Sequence, residues 1–477
     1  MKIDESDRLD FSNCTIDSQS LAKLSEMIKT FLPLAYIDLS FNNFGNDGIS
    51  HIRNSIKGSS NTLKTLNLRH IGLTDRGMKL LAPLLSGLKV LECIDLSFNP
   101  IKALGCKALS NDLGKILTLK ILLLSSIGAG TNGSRFLPAA LGTLKELKCF
   151  DLSHNSIGLP GVKAVSEALG KLSSLQWLDL SNNGIGLTGS KYLADAIQQS
   201  QGFEHLNLAC NIIAEYGSVV ISNAISKMTL LKNLYLSFSE LETSGLKELA
   251  NALSNTKELV DLYLAFDKIP IEGTRDLLKA IGRLQNLESL YFSCQVMEPE
   301  KARSFGEVLC LLKSLKILNL SSNSLSKANF LFIIEGLRKI SSGLKELILS
   351  SNKLNDDCAI GLAGILEEAI ELENINLSFN SIESKGAERL RQVVKKLPNI
   401  QNLNLSGNEI GETEVIKLIE DVSTWNGPIE QVSLYYTSPI DQPFKVIVNE
   451  KTELLNPFGA NSPVIIQNIK TNTHIQF

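Results

Sequence analysis

The chain has 477 residues, 44% of them hydrophobic and 20% charged, a balance that fits a folded polypeptide and excludes an intrinsically disordered one. At this length one hydrophobic core is too small, so the chain is either several domains or a repeat array. A formal net charge of −3 gives no reason to expect nucleic acid or an anionic membrane as partner, and no apolar run is long enough to span a bilayer.

The first residues, MKIDESDRLD, are acidic and lack an apolar h-region, which argues against a signal peptide. A degenerate unit follows, with Leu9, Phe11 and Ile16 in apolar slots. From there the chain repeats itself. "LAYIDLSFNNF" begins at Leu34, "LECIDLSFNPI" at Leu91, "LKCFDLSHNSI" at Leu147 and "LQWLDLSNNGI" at Leu175. "LKILNLSSNSL" begins at Leu315, "LKELILSSNKL" at Leu344, "LENINLSFNSI" at Leu372 and "IQNLNLSGNEI" at Ile400. Weaker copies start at Leu63, Leu119, Phe203, Leu231, Leu259 and Leu287, and a last one carries Ile429, Val432 and Leu434. The sixteen units follow one another at steps of 28 or 29 residues, without insertion.

One unit shows the physics of all. Leu178 and Leu180 alternate with Trp177, Asp179 and Ser181, the period of a half-buried strand. Asn183 stands where the chain must turn, and its side-chain amide can satisfy backbone groups that the turn would leave unpaired. Gly189 admits a tight approach into a helix whose Leu193, Ala194 and Ile197 form a core-facing stripe. The unit upstream repeats the stripe with Val162, Val165, Ala168 and Leu169. Stacked units give parallel strands on one side and parallel helices on the other. Strands sit about 4.8 Å apart and helices roughly 8–10 Å, so the array is expected to curve with the strands inside.

The L-x-x-L-x-L-x-x-N-x-[IL] core, with Gly four residues later, resembles the ribonuclease-inhibitor class of leucine-rich repeats over roughly residues 6 to 437. The resemblance implies an α/β leucine-rich-repeat solenoid, a horseshoe with its parallel β-sheet on the concave face and its helices on the convex face. Residues 1–437 form the repeat domain and 438–477 a C-terminal cap or tail.

Departures from the repeat are where function is sought. The asparagine slot holds Cys14, Ile71, Ile127, Ser239, Asp267 and Gln295, and the last three are in consecutive units. The helix-start glycine is replaced by Lys301, Asn329, Cys358 and Glu414. Drift of a long solenoid explains such losses as readily as function does. The strand position between the second and third core leucines is more informative. It is Asp38, Asn67, Asp95, Asp151, Asp179 and Asn207 in other units, but Tyr235, Tyr263 and Tyr291 in the three irregular ones. Trp177 and His205 lie at a nearby concave position in the two preceding units, and Asp261 lies among the tyrosines. Exposed aromatics with polar tips are typical interface anchors. A self-stacked ladder without a partner is the alternative. Phe41, Phe98, Phe238, Phe266 and Phe379 recur at one slot and are read as packing the turn. The column of serines from Ser40 to Ser406 is read as scaffold.

Little else suggests chemistry. The eight cysteines form no C-x-x-C pair, and several share equivalent repeat positions, as expected of reduced thiols. His70 and His154 are read as sharing a concave slot three units apart, roughly 14 Å, too far for joint metal ligation. No Walker-type loop, H-E-x-x-H or G-x-S-x-G occurs. No cofactor, metal or catalytic residue is expected.

Residues 438–477 hold two β-like runs, Lys445–Val448 and Val464–Ile469, separated by turn-forming residues. They fit a cap over the last repeat, with a transport signal as the alternative. Standalone arrays of this class resemble an inhibitor that wraps an enzyme, an effector that bacterial pathogens deliver into host cytosol by type IV secretion, or the Ran GTPase-activating protein. The Lys-, Asn-, Ile- and Ser-rich wording leans towards the effector. For the GTPase activator, Arg69 and Arg76 stand in a turn region, but the motif around that family's arginine is not recognisable. The expectation is a monomeric, cytoplasmic or host-delivered binding protein, without catalysis. Its protein partner would dock around Trp177, His205, Tyr235, Asp261, Tyr263 and Tyr291.

Overall fold

Leucines two apart with polar residues between them make short strands, and the structure has one such strand in every repeat. It is a computed structural model that describes residues 7–28, 33–199, 202–238, 242–266, 269–294, 296–424, 428–434, 444–447 and 465–467. They fall into two compact units, Met1–Glu258 and Leu259–Phe477.

In the first unit the strands are β1 (Arg8–Asp10), β2 (Tyr36–Asp38), β3 (Thr65–Asn67), β4 (Cys93–Asp95), β5 (Ile121–Leu123), β6 (Cys149–Asp151), β7 (Trp177–Asp179), β8 (His205–Asn207) and β9 (Asn233–Phe238). Each pairs in parallel with the next, so that Ile94 lies opposite Leu122 and Leu178 opposite Leu206. In the second unit β10 (Asp261–Phe266), β11 (Ser289–Cys294), β12 (Ile317–Asn319), β13 (Glu346–Ile348), β14 (Asn374–Asn376), β15 (Asn402–Asn404) and β16 (Gln431–Leu434) do the same. Nine and seven make sixteen parallel strands among the described residues. Beyond them β17 (Phe444–Ile447) joins β16 antiparallel, and β18 (Ile465–Gln467) pairs with β17.

Helices alternate with the strands in both units, among them Gly158–Leu169, Gly186–Ile197 and Asp356–Leu366. The core lies between the layers. Leu178, Leu180, Ile185, Leu193 and Ile197 of one repeat are all 1% exposed or less. Each fully buried aliphatic side chain contributes about 1.5–3 kcal/mol of transfer free energy. The strand–turn–helix unit expected of a leucine-rich-repeat solenoid is therefore the architecture of each unit.

The asparagine slot is a ladder of side-chain hydrogen bonds. Asn99 is fully buried. Its Nδ2 donates to the carbonyls of Leu96 and Ser97 in its own turn and to Leu68 of the preceding repeat, at 2.8–3.2 Å. Its Oδ1 accepts the backbone N–H groups of Ile71 and Leu73 in that preceding repeat. Asn155 serves Ile127 and Ala129 in the same way. Each asparagine thus closes its own turn and the one before. The turns at Ile71 and Ile127, which lack an asparagine of their own, therefore still have an acceptor for their N–H groups, because Asn99 and Asn155 of the next repeat supply it.

The helix-start glycine is a packing device. Gly77 lies inside the helix Asp75–Leu85, and a Cβ built there would sit 2.4 Å from Asn46 Oδ1. Gly189 likewise falls within the helix Gly186–Ile197 rather than ahead of it, against Val162 of the preceding repeat. Two of the units that lose this glycine spend the new side chain on their neighbour. Lys301 Nζ donates to the Ile269 carbonyl and Asn329 Nδ2 to the Met297 carbonyl. The close approach moves along the helix in the same two units. A Cβ at Gly306 would meet the Phe332 carbonyl oxygen at 2.1 Å, and one at Gly336 the Gly306 carbonyl oxygen at 2.4 Å. These departures are explained by packing.

Candidate functional site

Strand length is set locally. In the regular repeats the Asp or Asn that ends the strand accepts a backbone N–H two residues on. Asp95 Oδ1 accepts from Ser97 N, Asp151 Oδ1 from Ser153 N and Asn319 Oδ1 from Ser321 N, at 2.8–2.9 Å. The chain then turns through a residue of positive φ, such as Phe98 at 59°, His154 at 56° or Ser322 at 59°. Local side-chain acceptance of this kind competes with sheet pairing and stops the strand after three residues.

Tyrosine cannot make that bond. Where Tyr235, Tyr263 and Tyr291 take the slot, the strands run six residues instead of three. Phe238, Phe266 and Cys294, which stand at the turn position, end these strands. β5 also lacks both the acidic residue (Leu123) and the asparagine (Ile127), yet it stays at three residues. Its neighbours β4 and β6 are short, whereas β11 pairs with the six-residue β10 through Phe266↔Cys294. A long strand on one side offers the carbonyls and N–H groups that extend the next.

Each unit carries one group of the six candidate residues. In the first, Trp177 and His205 are opposite each other in register, with ring centroids 4.5 Å apart and planes at 16°. His205 continues to Tyr235 at 5.3 Å, diagonally, because Tyr235 pairs with Asn207. All three are half-buried. In the second unit Tyr263 and Tyr291 are in register with centroids 5.7 Å apart, and Asp261 stands two residues before Tyr263 on β10. Burial, then the charges of Glu346 and Asp261, hold the Tyr291 hydroxyl above its ordinary pKa.

Beside the first group, β4 to β7 present Asp95, Asp151 and Asp179. Burial raises the Asp151 carboxyl above its usual range, with Asp179 and Asp95 adding to the shift against the Ser153 hydrogen bonds. Burial, with Asp151 next, pushes the Cys149 thiol up to about 12, and burial with Asp95 pushes Cys93 up to about 11. These thiols are protonated at neutral pH and are poor nucleophiles. Seven cysteines, Cys93 and Cys149 included, are unbonded. Among the described residues no group of three His, Cys, Asp or Glu side chains is placed to hold a metal ion. None of the described helices is long and apolar enough to cross a membrane.

The recurrent phenylalanine slot requires a correction. Phe41, Phe98 and Phe379 do not fill the turn; they are 49%, 42% and 56% exposed. A positive-φ turn residue points its side chain away from the core, and recurrence alone could not reveal that. Phe41, His70 and Phe98, with Asp17, line a cleft of about 500 Å³. The Arg69 guanidinium lies 4.3 Å from the Phe98 ring centre and 5.6 Å from that of Phe41, and it approaches Asp95 at 4.0 Å. Arg76 is exposed at the start of its helix, where its N–H donates to Thr74 Oγ1. His70 and His154 belong to these turns and not to the strand face. His154 Nδ1 meets Asn182 Nδ2 at 2.8 Å.

The family models that match are both described as leucine-rich repeat, one at residues 33–52, 59–82, 88–110 and 145–166 and the other at 174–196. The chain therefore carries leucine-rich repeats. It is 33% identical over 119 residues to NACHT, LRR and PYD domains-containing protein 14 of Mus musculus. That match takes in 25% of this chain and 12% of the mouse protein, so the chain spans only a small part of that relative. Among solved structures it is similar to a leucine-rich-repeat protein of Leptospira interrogans, with a TM-score of 0.47 and 20% identity, covering 83% of this chain and 96% of that one. It is also similar to TLR13, solved in a complex with ssRNA13, with a TM-score of 0.43 and 18% identity, covering 87% and 61%.

Proposed function

We propose that this leucine-rich-repeat chain binds a protein partner across its strand faces. Its anchors would be Trp177, His205 and Tyr235 on one unit and Asp261, Tyr263 and Tyr291 on the other. One observation supports this most: half-buried rings neighbour one another on adjacent strands at 4.5–5.7 Å, Trp177 stacked on His205 and the tyrosines tilted, with Tyr235, Tyr263 and Tyr291 at the slot where other repeats carry hydrogen-bonded Asp or Asn. Each such side chain buries on the order of 150–250 Å² in an interface, and rings fixed on paired strands lose little entropy on docking. The activity is binding without catalysis, in a monomer that uses no cofactor. The repeats are of the ribonuclease-inhibitor type, and the setting we favour is an effector that an intracellular bacterial pathogen delivers into host cytosol. Pull-down from host-cell lysate with the intact chain, against a Tyr235→Ala, Tyr263→Ala, Tyr291→Ala variant, tests the surface. Specific partners should be recovered by the former and lost by the folded variant. Unchanged recovery would sink the reading. Addition of the protein to a panel of small GTPases should leave hydrolysis unaltered; an acceleration abolished by Arg69→Ala or Arg76→Ala would replace this function with GTPase activation.

A further inference from the structure

The face of the first unit from β4 to β9 has a chemistry of its own. Its outward strand positions are Cys93, Asp95, Ile121, Leu123, Cys149, Asp151, Trp177, Asp179, and then His205, Asn207, Asn233 and Tyr235. Three carboxylates lie on it, and no lysine or arginine. Asp151 and Asp179 are in register on adjacent strands and form no ion pair among the described residues. Asp179 Oδ2 accepts only a neutral donor, Asn207 Nδ2, at 2.7 Å. Asp95, at the edge, has a loose 4.0 Å approach from Arg69.

Two further observations decide what such a face takes. His205 stacks on Trp177 from the β8 side, but on the β6 side the residue in register is Cys149. That small side chain puts no ring against the other side of the indole. Trp177 makes its one ring contact among the described residues with His205. Between Asp95 and Asp151, β5 contributes Ile121, 36% exposed, and Leu123. The arrangement is an indole face, an aliphatic platform and two uncompensated carboxylates on strands about 4.8 Å apart. A long cationic side chain satisfies all three: its methylenes lie on apolar surface, its head meets carboxylate, and its charge is attracted to the indole face.

We infer that the occupant of this face is an extended, lysine- or arginine-bearing segment of a partner protein, seated across β4 to β9 with a cationic side chain between Trp177 and the Asp151–Asp179 pair. The inference rests on the proposed function and names the partner class of its first-unit anchors. The raised Asp151 pKa agrees with it, since an incoming cation offsets the like-charge repulsion already present. Phosphate-rich nucleic acid meets three carboxylates here and is disfavoured.

The test is fluorescence anisotropy on the full-length protein with three fluorescein-labelled probes. These are a dodecapeptide alternating arginine and serine, its glutamate–serine counterpart, and a single-stranded RNA of similar length. The arginine probe should bind, weaken with added salt, and lose tenfold or more in affinity in Asp151→Asn/Asp179→Asn and separately in Trp177→Ala. The Glu167→Gln/Asp195→Asn variant, altered on the helix layer, should bind it as the parent does. Equal loss in that variant would show unspecific charge attraction and overturn the inference. So would tight binding of the glutamate peptide or the RNA, or full affinity in the strand-face variants. Sedimentation of the protein alone at rising concentration completes the set, and self-association abolished by Trp177→Ala would put a second copy on this face instead. The same variants in the lysate pull-down separate the two claims. Partners lost from the strand-face variants while no cationic probe binds would retain the proposed function and reject the cationic segment. Partners retained throughout would reject the strand face itself.

Discussion

A single carboxylate shows how the strand face balances folding against charge. Asp151 caps its strand through the Ser153 N–H, yet burial and its aspartate neighbours raise its pKa. A carboxyl whose folded pKa lies above its unfolded value costs stability once ionised. That cost is absent below the unfolded pKa and complete above the folded one. Asn67 and Asn207 make the same cap elsewhere. Asp151→Asn is therefore expected to melt higher than the parent at pH 7, the difference shrinking as pH falls through the carboxylate range. A parent that melts higher at pH 7 would contradict this. Asn99 is a contrasting case. Asn99→Ala removes five hydrogen bonds at a fully buried site and should destabilise by about 2–4 kcal/mol in denaturant titration. Its distinctive sign is faster amide exchange at Ile71 and Leu73, in the repeat before the substitution.

At the scale of the element, much of the architecture could be read from residues and some could not. Alternating leucines located every strand from β1 to β16, because a period of two is local information. The asparagines located the turns for the same reason. The doubled length of β9, β10 and β11 was not legible, because it depends on what adjacent strands offer as well as on the missing carboxylate. Nor was the exposure of Phe41, Phe98 and Phe379, since a slot's orientation follows from its φ and not from its recurrence. Of the six candidate residues, the pairing of Tyr263 with Tyr291 followed from register, but the near-parallel stack of Trp177 on His205 needed coordinates. Helix packing gives a sharper test. Gly77→Ala places a methyl 2.4 Å from Asn46 Oδ1, an amide that also accepts the Thr74 and Gly77 N–H groups. We expect a loss of roughly 1–3 kcal/mol, measured by thermal melting, whereas alanine at an ordinary helical glycine stabilises.

For the molecule as a whole, an array of repeats has ends that a globular core does not. The last parallel strand, β16, buries Val432 and Leu434 completely and is paired on its outer edge by the antiparallel β17. The reversed β17, with β18 parallel beyond it, covers the β16 edge that would otherwise be open to a further strand. Deletion of residues 438–477 should lower the melting temperature and speed amide exchange in β16, while exchange in β4 to β7 stays as in the parent. Uniform loss of protection across all repeats would show instead that the array unfolds as one cooperative body.

The asparagine ladder has a direction. Asn99 reaches back to Leu68, Ile71 and Leu73, Asn155 to Leu124, Ile127 and Ala129, and Asn183 to Leu152. Like roof tiles laid from the bottom course, each repeat is overlapped by the one after it. Lifting a tile exposes the course beneath: a repeat stripped of its successor leaves two turn amides without their acceptor. A repeat stripped of its predecessor keeps the bonds inside its own turn. Excision of one repeat should therefore cost least where the repeat brought up behind the gap carries an asparagine, and damage spreads towards the N-terminus before it spreads the other way.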